Sequence, residues 1–498
     1  MHKFLYILPI LFLFSCAIGK APQEEFRGIW IATVANIDWP KNPNDSPEKK
    51  KKDFIEILDF YQKLNFNAAI VQVRTAGDAF YKTDLAPWSK YLTGKEGEPP
   101  MGLDHPLKWM IEETHKRGME FHAWLNPYRA TLDLDTTVLS KKHDFFRHPD
   151  WMVKYGKKYY YDPGLPDVQH KFNKVIEELI TNYEVDAIHF DDYFYPYKVE
   201  GEIFNDSLTF QTYGLPNQNL EDWRRSNVDS LVKNVYKTIK KSKPWVQFGI
   251  SPFGVWKNKS TDPKGSDTHA GQTTYEDLYA DPLLWVEKGW LDYLAPQAYW
   301  SMDYPPASHT KVVSWWANTT PNTNLYVGNG TYKIKNNHDK AWKRNTEIPK
   351  QLTFSRAQKT IDGNIFFSAK SLIGKHDKVT RTLKRKFYRL PAKNPAALNR
   401  IKRELSPPNI ESIQENNDFL EVCLVHRDTV PRFLNFYTLN PKKNQRLLVE
   451  KEYLSESQDS ICIQIGRAKK EIKKGVGITV VDAFGNESPI QPLNLPLD

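Results

Sequence analysis

Eight short apolar runs recur along most of the chain with amphipathic stretches between them, and few architectures accept that rhythm. The runs are "FRGIWIATV" (26–34), "AAIVQVR" (68–74), "EFHAWLNP" (120–127), "VDAIHFDDY" (185–193), "QFGISPFG" (247–254), "YLAPQAYW" (293–300), "LYVGNGTY" (325–332) and "GNIFFSA" (363–369). Between them lie segments such as "KKKDFIEILDFYQKLN" and "LKWMIEETHKRG", whose apolar residues recur at three and four and whose ends are marked by Lys, Arg, Gly or Pro. Runs this uniformly apolar are covered on both faces, as in a parallel sheet packed against helices. Eight such units predict closure into an α/β (β/α)8 TIM barrel rather than an open sheet. Two connections, residues 128–165 and 194–219, exceed ordinary length and are expected to wall a cleft.

From about residue 400 the texture changes: "SPPNI" interrupts the chain, helical periodicity stops, and alternating segments with turn signals such as "ENND" appear. This predicts a small all-β sandwich, which resembles a fibronectin type III module in its texture and its closing "VDAFGNES". The expected division is a signal peptide over 1–15, a lipidated tether over 16–25, the barrel over 26–392, a linker over 393–408 and the sandwich over 409–498. With 15 Trp, 25 Tyr and 26 Phe the chain is not disordered, and such rings also stack on the C–H faces of sugars.

The first residues, "MHKFLYILPILFLFSC", carry an apolar stretch too short to span a bilayer. Ending in Leu13, Phe14, Ser15 and Cys16, the segment resembles a bacterial lipobox, which implies cleavage before Cys16 and lipid modification of that residue. A lipid-anchored protein of the bacterial cell envelope is therefore expected, on the periplasmic side of the outer membrane. Cys423 and Cys462 lie in strand-like runs, where a disulfide and two buried thiols are both open. The net charge of +9 favours anionic surroundings, and without a basic recognition helix nucleic acid is not an expected partner.

A parallel barrel carries its chemistry at the C-terminal ends of its strands. Polar and aromatic residues there are Asp38 and Trp39 after the first strand, Arg74 and Asp78 after the second, and Asn126, Tyr128 and Arg129 after the third. The fourth supplies Asp191, Asp192 and Tyr193, and later strands add Gln297, Tyr299, Trp300, Asp303 and Asn329. Glycosidic cleavage needs carboxylates of unlike pKa, and adjacent like charges push their pKa values apart. Strand alternation turns Asp191 and Asp192 to opposite sides, so the chain must bend at Asp192 for both to serve. No structural zinc spacing or phosphate loop appears, and no metal or other cofactor is expected.

Taken together, "EFRGIWIATVANIDWP", "VQVRTAGDAFY", "WLNPYR", "YYYDPGLPDV", "AIHFDDYFYP", "DWRRSNV", "ISPFG" and "PQAYW" make the chain resemble the glycosyl-hydrolase-like family 10 proteins, bacterial envelope lipoproteins, over roughly residues 24–390. The resemblance implies a barrel glycosidase acting on glycan strands of peptidoglycan, particularly strands stripped of stem peptides. "FDDY" is similar to the adjacent aspartates of O-GlcNAcase-type hexosaminidases, and "VDAIHFDD" with "PQAYW" to chitinase-type barrels. Carried over, Asp191 orients the substrate's 2-acetamido group, Asp192 is acid and base, and Tyr299 supports the acetamido oxygen. The chitinase likeness fails where Tyr193 stands in place of the catalytic glutamate and His189 in place of an earlier aspartate. Two-carboxylate catalysis stays open, with Asp191 as nucleophile and Asp38, Asp78 or Asp303 as acid. Arg74 and Arg129 suit a lactyl carboxylate or an internal aspartate equally. The rival functions are a non-catalytic glycan-binding barrel and a metal-dependent hydrolase or deacetylase built on His122, His189 and Asp191. The sandwich is expected to orient the barrel toward the wall.

Overall fold

The computed structural model describes residues 23–415, 419–425, 431–440, 445–454, 460–465 and 475–493; the expected signal peptide and Cys16 lie outside them. Ten strands precede residue 400: β1 (Phe26–Ile31), β2 (Ala68–Arg74), β3 (Glu120–Leu125), β4 (Met152–Tyr155), β5 (Lys158–Tyr161), β6 (Ala187–Phe190), β7 (Gln247–Ile250), β8 (Tyr293–Leu294), β9 (Asn324–Asn329) and β10 (Gly363–Phe366). All but the β4–β5 hairpin join one closed parallel barrel in the order β1-β10-β9-β8-β7-β6-β3-β2. Each of the eight apolar runs thus supplies one barrel strand.

Closure divides the side chains of every strand between two cores. Outward residues such as Ile29, Ile31, Val71, Phe121, Ile188 and Phe248 pack under the helices. Inward residues, among them Phe26, Trp30, Ile70, Trp124, Tyr293, Tyr326 and Ile365, fill the barrel itself. The interior is aromatic and polar rather than aliphatic. Trp30 Nε1 donates to His189 Nε2 at 3.2 Å, which fixes the His189 proton on Nδ1, and that N–H donates to the Tyr293 hydroxyl at 2.9 Å. Tyr293 then donates to His122 Nδ1 at 2.9 Å, and His122 Nε2–H reaches Glu120 at 3.2 Å.

The two long connections both fold. Residues 128–165 hold the β4–β5 hairpin, bridged to the chain at Arg129↔Tyr160, and residues 194–219 hold a helix, Ser207–Tyr213, beside the buried Arg224–Asp206 ion pair at 2.6 Å.

Beyond the barrel come β11 (Asn409–Glu415), β12 (Leu420–Val425), β13 (Pro431–Asn440), β14 (Gln445–Tyr453), β15 (Ser460–Ile465), β16 (Val476–Asp482) and β17 (Gln491–Leu493). They form two antiparallel sheets, β11-β12-β15 and β14-β13-β16-β17, around Leu420, Val422, Leu424, Leu434, Phe436, Ile478 and Val480. Cys423 and Cys462 face each other across β12 and β15 and are joined as a disulfide.

This module sits against the N-terminal ends of the barrel strands, the face opposite the expected site. The His115 ring stacks on Tyr453 at 3.7 Å and bonds Asp186 at 2.7 Å, Lys451 Nζ donates to Asn394 at 2.6 Å, and Lys393 pairs with Glu487 at 2.7 Å. Gly118 sits in this contact with φ +65°, and a Cβ there would lie 2.5 Å from the Lys451 carbonyl oxygen, so the approach of the module requires glycine twice over.

The inner core leaves no slack either. A Cβ at Gly249 would lie 1.9 to 2.3 Å from the Tyr293 ring, the ring that bridges the two histidines. Gly249→Ala is therefore expected to cost about 1–3 kcal/mol through overpacking, read as a lowered midpoint of thermal unfolding; an unchanged midpoint would show that the ring has room to move.

Candidate active site

At the C-terminal ends of the strands the sequence outruns the sheet, and the aspartates begin there. Strand β6 stops at Phe190, and the N–H of Phe194 closes a turn onto the carbonyl of Asp192 at 3.0 Å. That turn resolves the conflict of alternation. Asp191 continues the inward row of Ala187 and His189 toward β3, where Asn126 Nδ2 donates to both its oxygens at 2.6 and 2.7 Å and Trp124 Nε1 donates at 3.2 Å. Asp192 swings the other way, where the Tyr197 hydroxyl donates to its Oδ2 and Gln297 of the loop after β8 hydrogen-bonds it.

The electrostatics separate the two groups. Burial pushes the Asp191 carboxyl up, while Arg129, then the amide of Asn126, pull it back. Burial raises Asp192 first and the charge of Asp191 raises it further, to about 7, with Tyr197 and Gln297 opposing. Two buried carboxyls this close do not both ionise readily, so the pair keeps a proton through mildly acidic pH.

Aromatic rings line both sides. Tyr193 lies under Arg129, whose guanidinium carbon is 4.2 Å from the ring centroid, and makes an edge contact with Tyr197 at 5.3 Å. Phe253 and Trp300 continue that wall at 5.5 Å from each other. Opposite, Tyr299 packs between Trp30 at 6.4 Å and Phe367 at 5.9 Å, with Tyr332 beyond. The Tyr299 hydroxyl feels the charges of Asp192 and Asp191 and makes no hydrogen bond among the described residues, so it is free to donate into the cleft.

Of the predicted site residues, the structure gathers Asp191, Asp192, Tyr193, Asn126, Arg129, Gln297, Tyr299 and Trp300 around one cleft. It sets the others, apart from the exposed Asp303, into the scaffold. Asp38 accepts from Ser368, the Lys370 N–H and the Ala32 N–H at 2.8 to 2.9 Å, clasping the loop after β1 to the loop after β10. Asp78 accepts from Thr75 and the Ala76 N–H within its own turn. Both carboxylates are buried in these contacts, and Asp303 is exposed on the loop after β8. Trp39 is fully buried, its Nε1 on the Lys50 carbonyl at 2.8 Å. Asn329 Nδ2 donates to Gln351 Oε1 at 2.9 Å, and Tyr128 is fully buried beneath the hairpin that Tyr161 N–H ties to its carbonyl.

Arg74 has a local cause: the β2–β3 register slips between Gln72 and Arg74, a bulge that turns the guanidinium outward to 6.0 Å from Phe172 under the helix Pro166–Asn182. His122, His189 and Asp191 do not converge, because Tyr293 stands between the two rings and Asp191 is held by Asn126 and Trp124. Among the described residues no group of three or more His, Cys, Asp or Glu side chains is placed to hold a metal ion.

Reading by strand ends missed Trp30, Gln72, Trp124, Tyr197 and Phe367. Gln72, a polar residue flanked on both sides by valine inside "AAIVQVR", was the one with a signal to find.

The chain matches the family model described as "Glycosyl hydrolase-like 10" over residues 25–344. It is similar to the glycosyl hydrolase YngK of Bacillus subtilis, 46% identical over 475 residues, which cover 94% of this chain and 92% of that protein. It is also similar to the glycosyl hydrolase DigH of Escherichia coli, 39% identical over 374 residues, or 70% of this chain and 84% of that one.

Holding a buried carboxyl pair has a cost in stability with a definite sign. The folded state raises Asp192 to about 7, above an unfolded value of about 4. Its contribution therefore favours folding at low pH and is lost as pH rises from about 4 through about 7. Asp192→Asn is expected to unfold at a higher temperature than the wild type at pH 8, by the equivalent of ~2–4 kcal/mol, with the gap closing toward pH 4. Equal midpoints at pH 8 would contradict the raised carboxyl.

Proposed function

The chain belongs to the glycosyl hydrolase-like 10 family, and on that premise we propose that it is a glycoside hydrolase cleaving N-acetylated glycan strands with Asp191 and Asp192. One observation carries the reading: two adjacent carboxyls diverge across an aromatic cleft, the second protonated near neutral pH beside a free tyrosine hydroxyl.

The geometry suits substrate-assisted cleavage. Asp191, an acceptor on every side, takes the N–H of the 2-acetamido group and turns its carbonyl oxygen toward C1. Tyr299 donates to that oxygen and holds it. As the oxygen bonds to C1, the C1–O glycosidic bond breaks and the Asp192 proton passes to the leaving oxygen. Asp192, now charged, takes a proton from water as the water oxygen bonds to C1 and the acetamido oxygen departs. The sugar keeps its anomeric configuration. Aromatic faces on both walls bind the rings of the strand.

Peptidoglycan strands lacking stem peptides are the proposed substrate, on the sequence resemblance and the acetamido-directed chemistry. The C-terminal strand order, first-second-fifth against fourth-third-sixth-seventh, supports a fibronectin type III-like module. We also propose attachment to the envelope by lipid at Cys16.

The test is incubation with peptide-free peptidoglycan strands, with products read by mass spectrometry. Wild type is expected to release reducing-end oligosaccharides, Asp192→Asn and Asp191→Asn to lose roughly 10²–10⁴-fold in rate, and strand affinity to survive both changes. Intact strands with binding preserved would make this a glycan-binding barrel, and activity abolished by chelation would return the metal-dependent reading.

A further inference from the structure

Substrate-assisted cleavage requires one aspartate to keep its charge while its neighbour keeps a proton, and the positioning role assigned to Gln72 rests on that reading of the pair. Hydrogen-bond direction decides which is which. Gln72 lies on β2 inside the barrel, 1% exposed. Its Oε1 accepts from the backbone N–H groups of Thr33 at 3.2 Å and Val34 at 3.0 Å, in the loop after β1. A backbone N–H can only donate, so the oxygen end of the Gln72 amide is fixed there and its nitrogen end must face Asn126. Nε2 donates to Asn126 Oδ1 at 2.7 Å. The second amide is fixed in turn: Asn126 turns its NH2 to Asp191 and meets both carboxyl oxygens at 2.6 and 2.7 Å. The Trp124 indole at 3.2 Å and the Tyr193 N–H at 3.3 Å complete the shell. Every one of these groups donates and none accepts, so a proton on Asp191 finds no acceptor among them and must either displace a donor or point into the cleft.

We propose that Gln72 is the positioning residue of the site: by locking the Asn126 amide with its NH2 toward Asp191, it assigns the negative charge to Asp191 and leaves the proton to Asp192. The other groups facing the pair are Arg129 after β3, Tyr193 and Tyr197 after β6, and Gln297 and Tyr299 after β8. Arg129 favours charge at Asp191 through space, but neither it nor the tyrosines set the orientation of the Asn126 amide.

Gln72→Glu tests the assignment because it reverses the relay. A carboxylate keeps the Thr33 and Val34 N–H groups and cannot donate, so Asn126 must turn its NH2 to position 72 and its oxygen to Asp191. Asp191 then takes the proton, and Asp192, relieved of its charged neighbour, ionises first.

The measurement is 13C NMR titration of aspartate-labelled full-length protein, with the two carboxyl signals assigned through Asp191→Asn and Asp192→Asn. The wild-type Asp192 signal is expected to titrate near 7 and to move down by about one unit or more in Gln72→Glu. An added negative charge acting only through space raises both signals, so an upward or absent shift at Asp192 overturns the proposal. Gln72→Met avoids a buried charge should Gln72→Glu fail to fold. It frees Asn126, and the interval between the two midpoints is expected to narrow; an unchanged interval overturns the proposal as well. On the strand assay, Gln72→Glu is expected to lose roughly 100-fold in kcat with KM little changed. The titration reads protons rather than bond cleavage. Wild-type protein that titrates as expected and leaves every strand intact would refute the hydrolase reading and leave the proton assignment standing.

Discussion

Closing eight parallel strands gives each residue only two destinations, inward or outward, and every feature of the mouth depends on that alternation. Inward positions on β1, β2, β3, β6 and β8 carry Trp30, Gln72, Trp124, His189 and Tyr293, and the same rows continued past the sheet deliver Asn126, Asp191 and Gln297. The cleft is the polar end of an interior in which a line of hydrogen-bonded rings runs among apolar side chains. A single direction of hydrogen bonding runs through it, from Trp30 by way of His189, Tyr293 and His122 to Glu120. Burial holds His189 well below its ordinary pKa, so the ring next beneath the aspartates offers them no counter-charge.

The aspartates consequently depend on groups beside them rather than beneath. Asn126, Trp124 and Arg129 surround one, and Tyr197 and Gln297 meet the other. Such unlike surroundings distinguish two chemically identical groups, as a division into acid and base at neutral pH requires. The same burial opposes folding, and the dense packing around Tyr293 and the disulfide in the distal module add stability elsewhere.

The barrel was legible because apolar runs and helical periods are properties of local sequence, and all eight strands fell where the runs placed them. The candidate site was legible only as far as strand ends point straight. Arg74 left the expected row because of a bulge, an event in the pairing of two strands that neither strand announces alone. Asp38 and Asp78 sit at the right ends but bend back onto backbone N–H groups, a choice made by loop geometry. Trp30 and Phe367 belong to core-like runs and serve the cleft only because closure brings β1 and β10 together. Tyr197 lies in a long connection whose path no periodicity describes, yet its hydroxyl donates to Asp192.

The docking of the module settles one matter of direction. Gln23 bonds the Arg446 carbonyl at 2.7 Å and Glu24 bridges to Lys393, so the described chain enters the barrel on the face that the module covers. The cleft opens on the other. Any force applied through residues upstream of Gln23 is therefore felt at the pole opposite the cleft, with the β-module alongside as a spacer. A molecule held from that side would turn its cleft away from whatever holds it.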